Sequence, residues 1–209
     1  MSTESWVDKG SYLESTTLQG SEDWKKIRDQ LVDNVPLITG SQFGNASGVG
    51  YETCEQLCLH LLKIKKREFD KQSYERMQHG TEMERVARGW YEHVTKNKVT
   101  DAGFAIPKFD NRIGASLDGH VGDDGCIEIK CPQSMYLVDE INPSHFAQMQ
   151  GGMAITNKKW CDYVVYSTSD GYASITRVEF DLEFWEKSLY PKLCNFIEYM
   201  KQVKQLYGI

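Results

Sequence analysis

The sequence predicts an α/β domain, a mixed central β-sheet flanked by α-helices, and three observations carry that prediction. Residues 112–132, RIGASLDGHVGDDGCIEIKCP, alternate apolar and polar side chains with the period of two that strands impose, on either side of a Gly122-Asp123-Asp124-Gly125 turn. Residues 158–180 alternate in the same way, as two paired strands joined by Ser-Asp-Gly-Tyr. Around these pairs, apolar residues recur at the spacing of amphipathic helices. With 209 residues, 40% hydrophobic and 26% charged, a single globular domain spanning 1–209 has ample material for a core.

In chain order, residues 1–20 are polar and rich in Ser, Thr and Gly, so they read as an N-terminal arm. From Ser21, a natural N-cap, SEDWKKIRDQLVDN reads as a helix with Trp24, Ile27 and Leu31 on one side. VPLITGSQFGNASG then reads as a glycine-rich loop, and residues 50–72 as a second helix with Leu57, Leu61, Leu62 and Ile64 on its apolar side. The end of that helix carries Lys63, Lys65, Lys66 and Arg67, the densest basic patch of the chain, suited either to phosphates or to a solvated helix terminus. In HGTEMERVARGWYEHVT, Met83, Val86, Ala87, Trp90, Tyr91 and Val94 mark a buried stripe, and Thr81 with Glu84 forms a capping-box pattern. Asn142-Pro143 opens a helix over PSHFAQMQGGMAIT, and residues 181–207 form a terminal helix packed through Phe184, Trp185, Leu189, Leu193, Phe196 and Ile197.

The chemistry concentrates on the central hairpin. Ile113, Ala115 and Leu117 share one face of its first run, with Ser116 and Asp118 on the other; Ile127, Ile129 and Cys131 oppose Glu128 and Lys130 on the second. Two neighbouring carboxylates resist joint ionisation unless a cation neutralises them. A hard divalent ion such as Mg²⁺ does so with one or two carboxylates and phosphate oxygens, which suits phosphodiester hydrolysis. Taken alone, the trio is more simply a surface hairpin with a cross-strand salt bridge.

The trio is not alone. Asp118-Gly119, the short hairpin, and Glu128-Ile129-Lys130-Cys131-Pro132 together resemble the PD-(D/E)xK nucleases, most closely the lambda-exonuclease and YqaJ-type viral recombinase (alkaline exonuclease) branch. Further motifs of that branch follow in order: Trp24 and Arg28 with Ile38-Thr39-Gly40-Ser41, then Gly80, Glu84, Ala87 and Arg88, then Ala147-Gln148-Met149-Gln150. The resemblance runs from about Ser21 to Phe180 and implies a restriction-endonuclease-like core. It implies that Asp118 and Glu128 hold one or two Mg²⁺ ions, with Mn²⁺ as substitute, helped by Glu84 and the Ile129 carbonyl. Lys130 and Gln148 would position or activate water, and Arg28 and Ser41 would bind a phosphate at the DNA end. For the third carboxylate, Glu82 is the alternative to Glu84. Helical periodicity alone selects Gln150, which falls on the stripe of Phe146, Met149 and Met153, whereas the resemblance selects Gln148.

The implied activity is 5′ to 3′ hydrolysis of double-stranded DNA from its ends, leaving 3′ single strands for recombination or repair. An endonuclease or single-strand exonuclease of the same superfamily, and a non-catalytic DNA-binding recombination protein, are the competing readings. A net charge of −6 excludes a general electrostatic coat for nucleic acid, though not a local basic groove. Cys54, Cys58, Cys126, Cys131, Cys161 and Cys194 include no C-x-x-C pair, so they indicate neither zinc nor a disulfide framework; only Cys161 and Cys194 lie late enough for an iron–sulfur cluster, too few. No apolar run is long enough to span a bilayer and the N-terminus lacks a signal pattern. The expectation is therefore a soluble protein of the cytoplasm or nucleus of a host cell, not secreted and without a membrane partner. A single-strand annealing protein is the family-type partner. Relatives form ring-shaped trimers, and no feature of the sequence decides between trimer and monomer.

Overall fold

The structure, a computed structural model, describes residues 5–133, 140–167, 169 and 171–209. It opens with strands rather than a free arm. β1 (Trp6–Asp8) and β2 (Tyr12–Ser15) pair antiparallel, and β2 buries Tyr12, Glu14 and Ser15. The polar composition misled because a hairpin on a sheet edge needs few apolar residues when its other partners supply the core.

α1 (Glu22–Arg28) begins as expected, with the Ser21 side chain accepting from the Trp24 N–H, and buries Trp24 and Ile27. It stops seven residues in. Asp33 and Asn34 both adopt left-handed φ, of 52° and 65°, and make the two-residue turn of a small hairpin, β3 (Leu31–Val32) with β4 (Val35–Pro36). Leu31 is accordingly exposed rather than helical core. The stretch expected as a loop is ordered throughout: β5 (Ile38–Thr39), a 3₁₀ turn (Gly40–Gln42) and α2 (Phe43–Ala46), with Ile38 and Phe43 fully buried.

The helix expected over residues 50–72 is confined to α3 (Cys54–Leu61), capped by Thr53. Lys63, at φ 58°, breaks it, and the chain restarts at Asp70, whose side chain caps the 25-residue α4 (Lys71–Thr95). Thr81 is therefore inside a helix, donating to the Met77 carbonyl, and the capping-box reading of Thr81 and Glu84 fails. The buried stripe of α4 is also narrower than its periodicity suggests: Ala87 and Tyr91 are buried, while Val86 and Val94 are exposed.

After β6 (Val99–Thr100) come β7 (Phe104–Pro107), β8 (Ile113–Ser116), β9 (Gly119–Val121) and β10 (Gly125–Lys130). The run read as the hairpin's first strand is thus two strands, and they belong to different sheets. The first sheet has the order β1-β2-β7-β8-β5. The second has the order β12-β11-β10-β9-β6, where β11 is Trp160–Ser167 and β12 is Tyr172–Glu179. The chain crosses between sheets at Leu117-Asp118. Gly122 makes the β9–β10 turn with φ 59°. The β11–β12 pair confirms the second predicted hairpin, although Asp170 of its turn lies outside the described residues.

β10 runs parallel to β11, and the crossover between them carries α5 (Pro143–Thr156), capped by Asn142. α5 lies so close to α2 that a Cβ on Gly151 would strike the Phe43 ring. α6 (Leu182–Phe184), a π turn (Trp185–Leu189) and α7 (Tyr190–Tyr207) close the fold, burying Trp185, Leu189, Leu193, Phe196 and Ile197. The two faces of β10 are covered differently. Ile127 and Ile129 pack with Ala87 and Tyr91 of α4, while Cys126 packs with Met149 and Met153 of α5.

Candidate active site

Strand alternation on β10 places Glu128 and Lys130 on the side opposite Ile127 and Ile129, and the inter-sheet crossing places Asp118 beside them. The Asp118 carboxylate accepts from the Ile129 N–H at 2.6 Å. Glu128 is 3% exposed, and its Oε1 lies 2.7 Å from the Lys130 ammonium. Lys130 also donates to the Gln148 side-chain oxygen at 3.3 Å. Glu84, half-buried on α4, completes the acidic group: burial raises its pKa, and the Glu128 charge raises it further.

The electrostatics of the cluster are out of balance. Burial and then the Glu128 charge push the Asp118 carboxyl well above its usual range. Burial would lower the Lys130 pKa, but the Glu128 and Asp118 carboxylates outweigh it and keep the ammonium protonated. Three carboxylates thus share one lysine. The nearby Arg88 is committed to Asp101 at 2.7 Å and to the Val99 carbonyl at 2.7 Å. Hard oxygen donors with surplus negative charge fit a divalent cation in kind. Among the described residues no three acidic, His or Cys side chains stand close enough to form a complete ligand set.

Gln148 and Gln150 separate cleanly. Gln150 is fully buried, donating to the Glu179 carbonyl and accepting from the Asp181 N–H, both at 2.8 Å, which ties α5 to the end of β12. Gln148 is the one facing Lys130. The alternative acid Glu82 is exposed and accepts from Gln78 on its own helix.

Arg28 and Ser41 meet as well. The Arg28 guanidinium stacks 4.2 Å from the Trp24 ring and donates to the hydroxyls of Thr39, at 3.1 Å, and Ser41, at 3.3 Å. The β3–β4 hairpin folds the thirteen-residue separation back on itself, so the distance in sequence is short in space. This cluster borders the acidic one, since a Cβ at Gly40 would lie 3.9 Å from the Gln148 side chain. Trp24 further donates its indole N–H to Ser116, two residues before Asp118, at 3.0 Å. A cleft of about 750 Å³ lined by Trp24, Glu84, Arg85, Arg88 and Asp118 opens over the group.

Three neighbours had no sequence signal of their own. Thr39 lies within the Ile38-Ser41 motif and shares Arg28 with Ser41 because the 3₁₀ turn that follows it brings the Ser41 hydroxyl to 3.3 Å from its own. His145 and Tyr163 share a hydrogen bond of 2.8 Å on the Lys130 side of α5. Burial, then the Lys130 charge, hold the imidazole down to about 4, so it is neutral at physiological pH. Their pairing joins a helix to a strand 18 residues away, which periodicity does not reveal.

Comparison with known proteins follows this geometry. The alkaline exonuclease LHK-Exo of Laribacter hongkongensis is 28% identical, with 90% of this chain and 98% of that one covered at a TM-score of 0.68. The same enzyme in complex with dAMP is matched at 27% identity, with the same coverage and TM-score. A phage-related exonuclease from Haemophilus somnus 129PT, 12% identical over 83% of this chain and 97% of that one, shares the fold at a TM-score of 0.66. The mixed sheets and flanking helices are thus the restriction-endonuclease-like fold of these exonucleases. No curated protein sequence matches the chain. The YqaJ-like viral recombinase domain matches residues 23–159, a stretch that contains every candidate residue from Arg28 to Gln148, and the chain belongs to that family.

Proposed function

We propose that this nuclease hydrolyses phosphodiesters from double-stranded DNA ends in the 5′ to 3′ direction, with Mg²⁺ or Mn²⁺, leaving 3′ single strands for recombination or repair. The observation that carries the reading is the convergence of Asp118 from the inter-sheet crossing, Glu128 and Lys130 from β10 and Gln148 from α5 beside the Arg28 cluster. Asp118, Glu128, Glu84 and the Ile129 carbonyl would hold the metal, which when bound would supply Lewis-acid polarisation of the scissile phosphoryl group. The other steps belong to the chain itself. Lys130, kept protonated, donates to the attacking water or the phosphoryl oxygens and offsets charge as it develops. Gln148 orients the same water through its amide. Arg28, preorganised on Trp24 and by two hydroxyls, presents a cationic fork to the terminal 5′-phosphate together with Ser41. The dAMP complex of the similar LHK-Exo agrees with a nucleotide product. A single-strand annealing protein is the partner and a ring-shaped trimer the assembly that this reading implies.

The test follows linear duplex carrying 5′-phosphate, its 5′-hydroxyl counterpart and a closed circle, each with Mg²⁺ or EDTA. Shortening of the phosphorylated linear duplex alone, and only with metal, is the expected result. Equal cutting of the circle replaces the end-dependent reading with an endonuclease. DNA binding without cutting under any condition overturns the catalytic one.

A further inference from the structure

The basic segment between α3 and α4 has no part in the site described above. Four of the five residues 63–67 are cationic in a chain of net charge −6. Arg67 is paired with Glu52, and Glu52 also accepts from Asn45 at 3.1 Å and lies 2.8 Å from His60. Lys65 and Lys66 have no recorded ion-pair partner among the described residues and line a pocket of about 600 Å³ with Tyr51 and Phe69. Both rings stand in solvent, Tyr51 at 85% exposure and Phe69 at 41%. Phe69 meets Tyr74 edge-to-face at 5.7 Å and has the Arg67 guanidinium 5.8 Å over its ring, yet both Phe69 and Tyr51 keep exposed surface beside Lys65 and Lys66. A single strand is the ligand that uses rings and cations together: bases stack on the rings while phosphates follow the lysines. A duplex keeps its base faces covered and leaves the rings unused.

The ridge is also continuous with the site. The Tyr51 hydroxyl accepts from the Asn142 side chain at 2.9 Å, and Asn142 caps the helix that carries Gln148. We infer that Tyr51, Phe69, Lys65 and Lys66 form a track for single-stranded DNA beside the N-terminus of α5, the helix that carries Gln148. The inference rests on the nuclease reading for its biological role but not for its test.

The measurement is fluorescence anisotropy of a labelled oligothymidylate of about 20 nucleotides, which is long enough for one single-strand site, and of a blunt duplex, both in EDTA. Phe69→Ala and Tyr51→Ala should each weaken the oligothymidylate about tenfold, one stacked base apiece, and Tyr51→Phe should bind as the wild type does. Replacing Lys65 and Lys66 by Ala should lower the salt-dependence slope by about 1.4. These four side chains are exposed, so circular dichroism should show every variant folded. Unchanged oligothymidylate affinity in the variants overturns the track; equal losses on the blunt duplex reassign the ridge to double-stranded DNA and overturn it too. The two readings fail separately. A wild type that cuts nothing yet binds oligothymidylate through the ridge defeats the nuclease reading alone, and cutting with ridge-independent binding defeats the track alone.

Discussion

Glu128 and Asp162 sit on adjacent strands of one sheet, 3% and 2% exposed, and differ in almost everything else. Asp162 faces α4, whose Tyr91 hydroxyl donates to it at 2.6 Å, and Arg177 of β12 donates twice, at 2.8 and 2.9 Å. Arg177 is itself anchored, lying 3.7 Å over the Trp160 ring. Glu128 faces the other way and shares a single lysine with Asp118 and Glu84. One carboxylate is fully satisfied and holds the sheet to its helix. The other belongs to a group left short of positive charge, a condition that a divalent cation would relieve. Burial of an acid therefore says little about its purpose; the count of donors around it says much.

The largest expected effect lies on the unsatisfied side. Asp118→Ala should lower the hydrolysis rate by about 10³-fold or more, read on linear duplex, because a group acting on the reacting phosphate is lost. In EDTA its Tm should be unchanged or higher, since the folded protein no longer carries a carboxylate that its neighbours disfavour. A clear drop in Tm would mean that Asp118 is structural, and the contrast with Asp162 would collapse.

Asp162→Ala should do the reverse. It orphans the Tyr91 hydroxyl and releases a half-exposed Arg177, costing about 2 kcal/mol and lowering Tm by roughly 4–8 °C in a domain of this size. Hydrolysis below the new Tm should stay within a few-fold of wild type. Thermal melts and initial rates on the same preparation check both halves.

Glu14 offers an intermediate case and the smallest effect. It is 7% exposed, its Oε1 is 2.6 Å from His120 Nε2, and it accepts from the Gly103 N–H at 3.2 Å, joining β2 of one sheet to β9 of the other. Burial pushes its pKa up, but the His120 hydrogen bond and charge prevail and hold it below its ordinary value of 4.5. A lowered folded pKa contributes stability above the ordinary value that is lost as pH falls towards the folded one. Glu14→Gln should therefore cost about 1 kcal/mol at pH 7, with the deficit narrowing below pH 4.5. A deficit that is constant across pH 3–7 would show the contact to be shape rather than charge.

Legibility followed the range of the forces involved. The β9–β10 hairpin, the caps at Ser21 and Asn142 and the β11–β12 pair all rest on neighbours within a few residues, and the structure contains each of them. The β3–β4 hairpin was also local. Its Asp33-Asn34 pair takes left-handed φ at both positions, as a type I′ turn requires, while Leu31 continues the helical spacing of Trp24 and Ile27 and so masks the turn. Glu84 was placed near the hairpin acids by family motif, while the capping pattern that competed for it proved to lie in mid-helix.

By itself, then, the sequence determined the α/β class, the alternation that puts Glu128 and Lys130 on one side of a strand, and the ordered motifs of the family. These depend on backbone period and side-chain type, which any stretch of chain carries with it. Only the tertiary structure decided that Gln148 rather than Gln150 meets Lys130, that Arg28 and Ser41 converge, and that the polar N-terminal segment is part of a sheet. Each of those outcomes turns on which element packs against which face. That choice is set by long-range burial, and no local period records it.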